Sequence, residues 1–483
     1  MKRVVVIGSG PGGSSCAALL ASRGFDVTVL EQNAFIGGKC STYEENGFKV
    51  DTGIHMFATG ASGPHGQVAR ELGVAQPWLV KNPSETMWMN DKGFFYLHQK
   101  TTSPASLKEL IRANVTGRQK VDVLNSLRRS VKSFGFPGVL RELSGVARAL
   151  PGIVAKYDDT TVRDFLHLFT DDVGIHRAMN CLAMLLLVDP YDKASAGEFI
   201  YVVSDIFRYG TLGVPRGGAI GVPRSFMRAF KRDGGKLVLG VAAKEITIEG
   251  DRVTGVQGSD GQHYPADVVV SNAGLRQTVK LAGEGSFPDE YVDYVDSLEL
   301  SYSWIASKLF LDTRAVDLKA PSFFPIPQVD PDEIFAYCDE PDGLPVDPFI
   351  FGPIPTDWDP TLAPPGHQLI MIGVATSNDV DQEERSQRML DIAEQKYFSF
   401  FPQAEKHMVA KSRITNKDTN RITRKGTGEC IGLAQIPGQV GSSKPHPQMP
   451  VEGLWAVGCD AGGRGVGTEQ GTASGMLVAS LVS

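Results

Sequence analysis

The 483-residue chain contains no apolar run near the roughly 20 residues that a membrane-spanning helix needs. Cys181 to Val188, eight residues, is among its longest, which excludes a polytopic membrane protein. The six cysteines (Cys16, Cys40, Cys181, Cys338, Cys430 and Cys459) form no C-x-x-C pair, and none sits at zinc-ligand spacing from a histidine. No metal site or disulfide framework is therefore expected; reduced thiols used in packing and a cytoplasmic location are. Basic residues are not in excess either. Forty-eight Lys plus Arg face 55 Asp plus Glu, a net charge of −7, which excludes the positive field of a nucleic-acid-binding protein. Met1-Lys2-Arg3 is followed by an apolar stretch too short for a leader, so it reads as the start of a strand. With 42% apolar and 21% charged residues, the chain has an ordinary globular composition and a length suited to two or three domains.

What is present begins at that strand. Val4 to Ile7 is a continuous β-branched run, the pattern of a strand buried on both faces. Gly8-Ser9-Gly10-Pro11-Gly12-Gly13 follows, with Gly8, Gly10 and Gly13 at the G-x-G-x-x-G positions. Ser14 to Arg23 then reads as a helix ending at Gly24, and Asp26 to Leu30 as a second strand with Glu31 just past its end, 18 positions after Gly13. Gly8 permits the tight turn, Gly10 lets backbone approach a pyrophosphate at the helix N-terminus, and Gly13 lets helix and strand pack closely. Glu31 is placed to accept hydrogen bonds from ribose hydroxyls, with Gln32 beside it. These residues specify a dinucleotide and leave FAD and NAD both open. No second G-x-G-x-x-G follows a strand, so a tightly held second dinucleotide is not expected.

Gly37-Gly38-Lys39, then Thr42, Gly47-Phe48, Asp51 and Gly53, follow the second strand. Here the chain resembles the phytoene desaturase and carotenoid isomerase-like family of the FAD-dependent amine oxidase superfamily. The resemblance implies that FAD is the cofactor, that Gly38 passes close to it, and that Lys39 lies near the pyrophosphate where relatives usually carry Arg. It continues through Pro215-Arg216-Gly217-Gly218, a helix over 222–231, the Gly234-Gly235 turn, and strands over 236–239, 243–248, 252–257 and 267–271. By resemblance, Ala243 touches the adenine side through its backbone. Near the carboxyl end, Gly458-Cys459-Asp460 precedes a Gly-rich loop and a helix over about 469–481. The family places Asp460 near the ribityl or pyrophosphate portion and the backbone of Val466, Gly467 and Thr468 at the flavin carbonyl. The positive end of that helix would stabilise a reduced flavin. Carotenoid desaturases usually carry T-H-P-G where this chain has Ala461-Gly462-Gly463-Arg464, which separates the fold from phytoene as substrate.

The fold class implied is α/β: a discontinuous Rossmann-type FAD-binding domain (glutathione-reductase-like) from 1–75, 206–285 and 430–483, with a sheet-based substrate domain from 76–100 and 286–429. Residues 101–205 form a helical cap. Within 105–156, ten Lys or Arg face three Asp or Glu, a local +7, leaving the remainder at −14. A solvated helix face, an anionic membrane surface touched from its inner side, and a phosphate-bearing substrate such as a coenzyme A thioester compete to explain this segment.

Catalytic candidates are fewer, because hydride transfer to flavin N5 needs a dry apolar pocket more than a strong base. His55, in Gly53-Ile54-His55-Met56-Phe57, is either a packing or a substrate-facing residue. Lys308 in the apolar strand Trp304 to Leu311 is either solvated or, as amine oxidases imply, an active-site lysine. The leading expectation is an FAD-dependent enzyme that desaturates or saturates a C–C bond of a hydrophobic, isoprenoid or alicyclic substrate, with a quinone or oxygen as electron acceptor. An amine oxidase and a redox-neutral carotenoid-type isomerase are the enzymatic alternatives. A prenyl-binding escort of the Rab GDP-dissociation-inhibitor type is the non-enzymatic one. Oligomeric state is not legible.

Overall fold

The computed structural model describes residues 2–53, 56–80, 85–90, 93–98, 140, 143, 151–210, 212–318 and 320–483. His55 and nearly all of the basic 105–156 segment lie outside the described residues.

Strand β1 (Arg3–Ile7) leads through the glycine loop to α1 (Pro11–Ser22) and β2 (Asp26–Glu31). A hairpin, β3 (Thr42–Glu45) and β4 (Phe48–Asp51), and α2 (Pro64–Glu71) follow. Helices α3 (Val173–Leu187) and α4 (Ala196–Tyr209) belong to the cap region. The chain then forms α5 (Gly221–Arg232), β5 (Lys236–Leu239), β6 (Ala243–Glu249), β7 (Arg252–Gly258), β8 (His263–Pro265), β9 (Val268–Ser271) and α6 (Leu275–Ala282). Beyond these come β10 (Ser303–Leu311), β11 (Gln368–Thr376), β12 (Met408–Ile414), α7 (Asn416–Thr423), β13 (Leu454–Ala456) and α8 (Gly467–Val482).

A parallel sheet in the order β13-β9-β1-β2-β5 draws strands from both ends and the middle of the chain. Its centre is β1, paired with β9 on one edge and β2 on the other, and the Val4–Ile7 run is covered on both faces, Val4 and Val6 by one layer and Val5 and Ile7 by the other. Helices α1, α5 and α8 close one face through Leu19, Leu20, Phe226, Phe230 and Val478. The β6-β7-β8 meander and α6 close the other through Ile246, Val256, Leu275 and Val279. Side chains of that size contribute about 1.5–3 kcal/mol each on burial. Functional residues gather at the carboxyl ends of the parallel strands, where such sheets bind ligands.

A second, antiparallel sheet, β11-β10-β12, is tied to α3 and α4 by one large apolar core. Met56 and Val466, from either side of the first domain, pack on this core. Local readings hold within three residues: α1 starts at Pro11, three before the expected Ser14. Glu31 is the last residue of β2 rather than the first beyond it, and α8 starts at Gly467, two residues before the expected Glu469. Among the described residues no helix is long and apolar enough to cross a membrane.

Candidate active site

Helix α1 is preceded by Gly10, which offers no side-chain cap, and has proline in its first turn, so its leading N–H groups face outward unpaired by side chains. Close approach explains the glycines. A Cβ on Gly13 would lie 2.1 Å from the Gly8 carbonyl oxygen. On Gly12 it would meet Asn272 Oδ1 at 2.9 Å and Gly458 Cα at 3.1 Å, and on Gly458 it would meet Asn272 Oδ1 at 2.8 Å. Three chain segments thus converge on a cradle that any side chain would fill. A pyrophosphate fits it: glycine backbone and the Asn272 amide border the site, and an uncapped helix end would face an anion.

Glu31 is buried, with both carboxylate oxygens occupied. Ser9 donates to Oε2 from its N–H at 2.9 Å and its hydroxyl at 2.6 Å; Asn33 donates to Oε1 from its N–H at 2.9 Å and its amide at 3.0 Å. A carboxylate has about four acceptor positions, so a ribose hydroxyl would take the place of the Asn33 amide. Gln32 Nε2 donates to the Ile422 and Thr423 carbonyls, both at 3.0 Å, which fastens the end of α7 here. Val241 N–H donates to the Glu31 carbonyl at 3.0 Å, bringing the start of β6 and Ala243 alongside.

Gly38 adopts φ +55° in the loop that delivers Lys39. Lys39 Nζ does not face the glycine cradle alone: it donates to the Glu429 carbonyl at 2.8 Å and lies 3.9 Å from that carboxylate. Lys425 Nζ pairs with Glu429 Oε1 at 3.1 Å. Burial opposes the Glu429 charge, but Lys425 and Lys39 outweigh it and hold the carboxyl below its ordinary range. Asp460 accepts the Leu275 N–H at 2.9 Å and the Leu433 N–H at 3.2 Å, serving the otherwise uncapped start of α6.

Helix α8 also lacks a side-chain cap, its capping position being Val466. Its first turns are clamped from α2 and the segment before it. His65 pairs with Thr468 Oγ1 at 3.2 Å and Thr472 Oγ1 at 2.9 Å, and burial pushes its imidazole down to about 3. Glu469 accepts the Thr59 N–H at 2.7 Å and hydroxyl at 2.8 Å. The preceding Gly-rich loop is fixed by Arg464, which donates to Asp158 at 2.5 Å and Glu198 at 2.8 Å, while Gly465 N–H donates to Glu198 at 2.6 Å.

The solvent-facing reading of Lys308 fails. The residue is 1% exposed, and its Nζ donates to the Asp51 carbonyl at 2.8 Å and the Tyr43 hydroxyl at 3.0 Å. Burial lowers its pKa from 10.5 to about 8 against the pull of Asp51, Glu45 and Asp418. Its cross-strand partner Met371 lines a narrow apolar cavity of about 50 Å³, bounded also by Asp51, Met56, Leu212, Phe351 and Trp358. Asn272, Lys425, Glu429, His65 and Glu198 were not singled out from sequence. Asn272 carries a usable signal, since it directly follows a buried strand parallel to β1.

A parallel sheet with a glycine cradle, two uncapped helix ends and an apolar cavity is the arrangement of a dinucleotide-dependent oxidoreductase. Residues 12–482 match the family of flavin containing amine oxidoreductases, and the chain belongs to it. It is an FAD-dependent oxidoreductase. A phytoene desaturase from Fusarium fujikuroi is 27% identical over 416 residues, covering 80% of this chain and 69% of that one. An oxidoreductase from Methanosarcina mazei superposes with a TM-score of 0.69 at 19% identity, covering 99% of each chain. Cyclohexylamine oxidase from Brevibacterium oxydans superposes with a TM-score of 0.64 at 17% identity, covering 100% of this chain and 98% of that one.

Proposed function

We propose that this flavoenzyme desaturates, or in the reverse direction saturates, a C–C bond of a hydrophobic isoprenoid or alicyclic substrate. The observation that carries the reading is the apolar cavity beside Met56, whose described lining offers the substrate no charged side chain except Asp51, already engaged by Thr42 and Ala219. Its small volume suits the reacting carbons rather than a whole long chain. The name of the Fusarium relative supports the same chemistry.

Bound FAD supplies hydride acceptance. The α1 end with Gly10, Gly12, Gly13 and Gly458 would hold the pyrophosphate, and Glu31, Gln32 and Ala243 would serve the adenosine. Asp460 and the Lys39–Glu429–Lys425 group would serve the middle of the cofactor, and the Val466–Thr468 backbone would serve its ring. Lys308, lowered to about 8 by burial and set beside the cavity through its cross-strand partner Met371, would exchange the proton at Nζ; His55 is the second candidate for that step.

Amine oxidation is the second reading, favoured by the burial of Lys308 and by the shared fold with cyclohexylamine oxidase. Against it stands a 461–468 loop without Trp or Tyr. Incubation with isoprenoid hydrocarbons and a quinone, followed by absorbance and mass spectrometry, tests the proposal. A product two hydrogens lighter is expected. No change with any isoprenoid or alicyclic compound, together with turnover of amines, would reject it.

A further inference from the structure

We propose that the outer face of α5 and the groove beside it dock the protein on an anionic lipid bilayer. Helix α5 buries Val222, Phe226, Ala229 and Phe230 and turns Arg224, Arg228 and Lys231 outward, at i, i+4 and i+7 on one stripe. Surface cations nearby are paired: Arg23 with Glu71, Arg232 with Asp233, Lys236 with Asp26. Arg224 and Lys231 have no hydrogen bond or ion pair among the described residues, and Arg228 donates only to the Ala75 carbonyl, at 2.7 Å. Three cations without counter-charge, on a chain of net charge −7, mark a local site for anions.

The stripe borders an open groove of about 370 Å³ floored by Met227 and Leu237. Phe35 and Leu239 stand at its rim, 42% and 43% exposed. Bulky apolar side chains that project beside unpaired cations suit a planar interface. The cations meet headgroup phosphates while Phe35 and Leu239 enter the acyl boundary. A wide, shallow groove does not enclose a soluble ligand in the way a pocket does.

The location gives the docking a consequence. Ile220 lines the groove, and its neighbours Gly218 and Ala219 line the interior apolar cavity on the other side of the same turn. A bilayer at α5 therefore lies one turn of chain from the candidate reaction site. That consequence rests on the reading of a hydrophobic substrate; the docking itself does not.

Co-sedimentation of the FAD-loaded protein with vesicles tests the proposal. Binding to vesicles containing phosphatidylglycerol, weak binding to pure phosphatidylcholine, and weakening with salt are expected. Arg224→Glu/Arg228→Glu/Lys231→Glu should lower the partition coefficient by on the order of 100-fold or more. Phe35→Ser/Leu239→Ser should remove the part that survives high salt. Flavin absorbance and melting temperature report whether each variant is folded. Equal binding of the charge-reversed protein and wild type, equal wild-type binding to both lipids, or no binding would overturn the proposal. So would a loss confined to Arg128→Glu/Arg129→Glu/Lys132→Glu, or saturable uptake of monomeric oleate without vesicle binding. An enzyme that oxidises amines yet docks in this way would reject the substrate reading and leave the docking intact.

Discussion

Replacing Lys308 by Met should change how stability depends on pH. In the folded protein its pKa falls from 10.5 to about 8. A shift of that size corresponds to about 3 kcal/mol of penalty on the ammonium form. Below pH 8 both folded and unfolded chains carry the proton, and the native state bears the full penalty. Between pH 8 and 10.5 the unfolded chain still holds the proton while the native one has released it, so stability rises with pH. Above 10.5 the penalty is gone. Met keeps the apolar stem but removes the charge and the bonds to Asp51 and Tyr43, which together contribute about 2 kcal/mol. Urea unfolding of wild type and variant from pH 7 to 10.5 measures the effect. At pH 7 the variant should match wild type or exceed it by about 1 kcal/mol. The wild-type advantage should then grow by about 3 kcal/mol toward pH 10.5. Subtracting the two curves cancels groups that titrate in both proteins, such as Tyr264, pushed up to about 12 by burial and by Asp260. A difference that stays constant with pH would refute the burial argument.

Gly12→Val should yield protein without visible flavin absorbance and with a lowered apoprotein melting temperature, because the new side chain meets Asn272 and the Gly458 backbone at the cradle. Arg464→Met leaves the buried Glu198 without its guanidinium; a loss of about 3 kcal/mol in chemical denaturation is expected. Glu198→Gln in the same protein should recover part of that loss. Asp460→Ala orphans the Leu275 and Leu433 N–H groups, at about 1–3 kcal/mol each. Faster FAD release in an equilibrium dialysis experiment should accompany it.

The dinucleotide end was legible because its determinants are local: Val4–Ile7, the glycines through Gly13, and Glu31 lie within one β-α-β unit. The three-part origin of the parallel sheet was also readable, from the β-branched runs Val4–Ile7 and Val268–Val270 and from the glycines that flank Leu454–Ala456. The burial of Lys308 was not, because the other eight residues of β10 are all apolar or small, and alternation cannot show which face meets another layer. Lys39 illustrates a different limit. Its partner Glu429, which Lys425 also pairs with, lies nearly 400 positions away in the chain, and only the closed fold brings them together. His65 and Glu469 were hidden for the same reason, each polar residue being satisfied across the interface between α2, the segment before it, and α8. The charge contrast inside the chain was visible in sequence. The described cationic face, however, is α5, while the 105–156 segment lies outside the described residues.

Anaerobic mixing of the oxidised holoenzyme with isoprenoid or alicyclic hydrocarbons on one side and primary amines on the other, followed through the flavin absorbance, tests the central claim most directly. Bleaching by a hydrocarbon and none by amines is the predicted result. Bleaching by amines alone would contradict it.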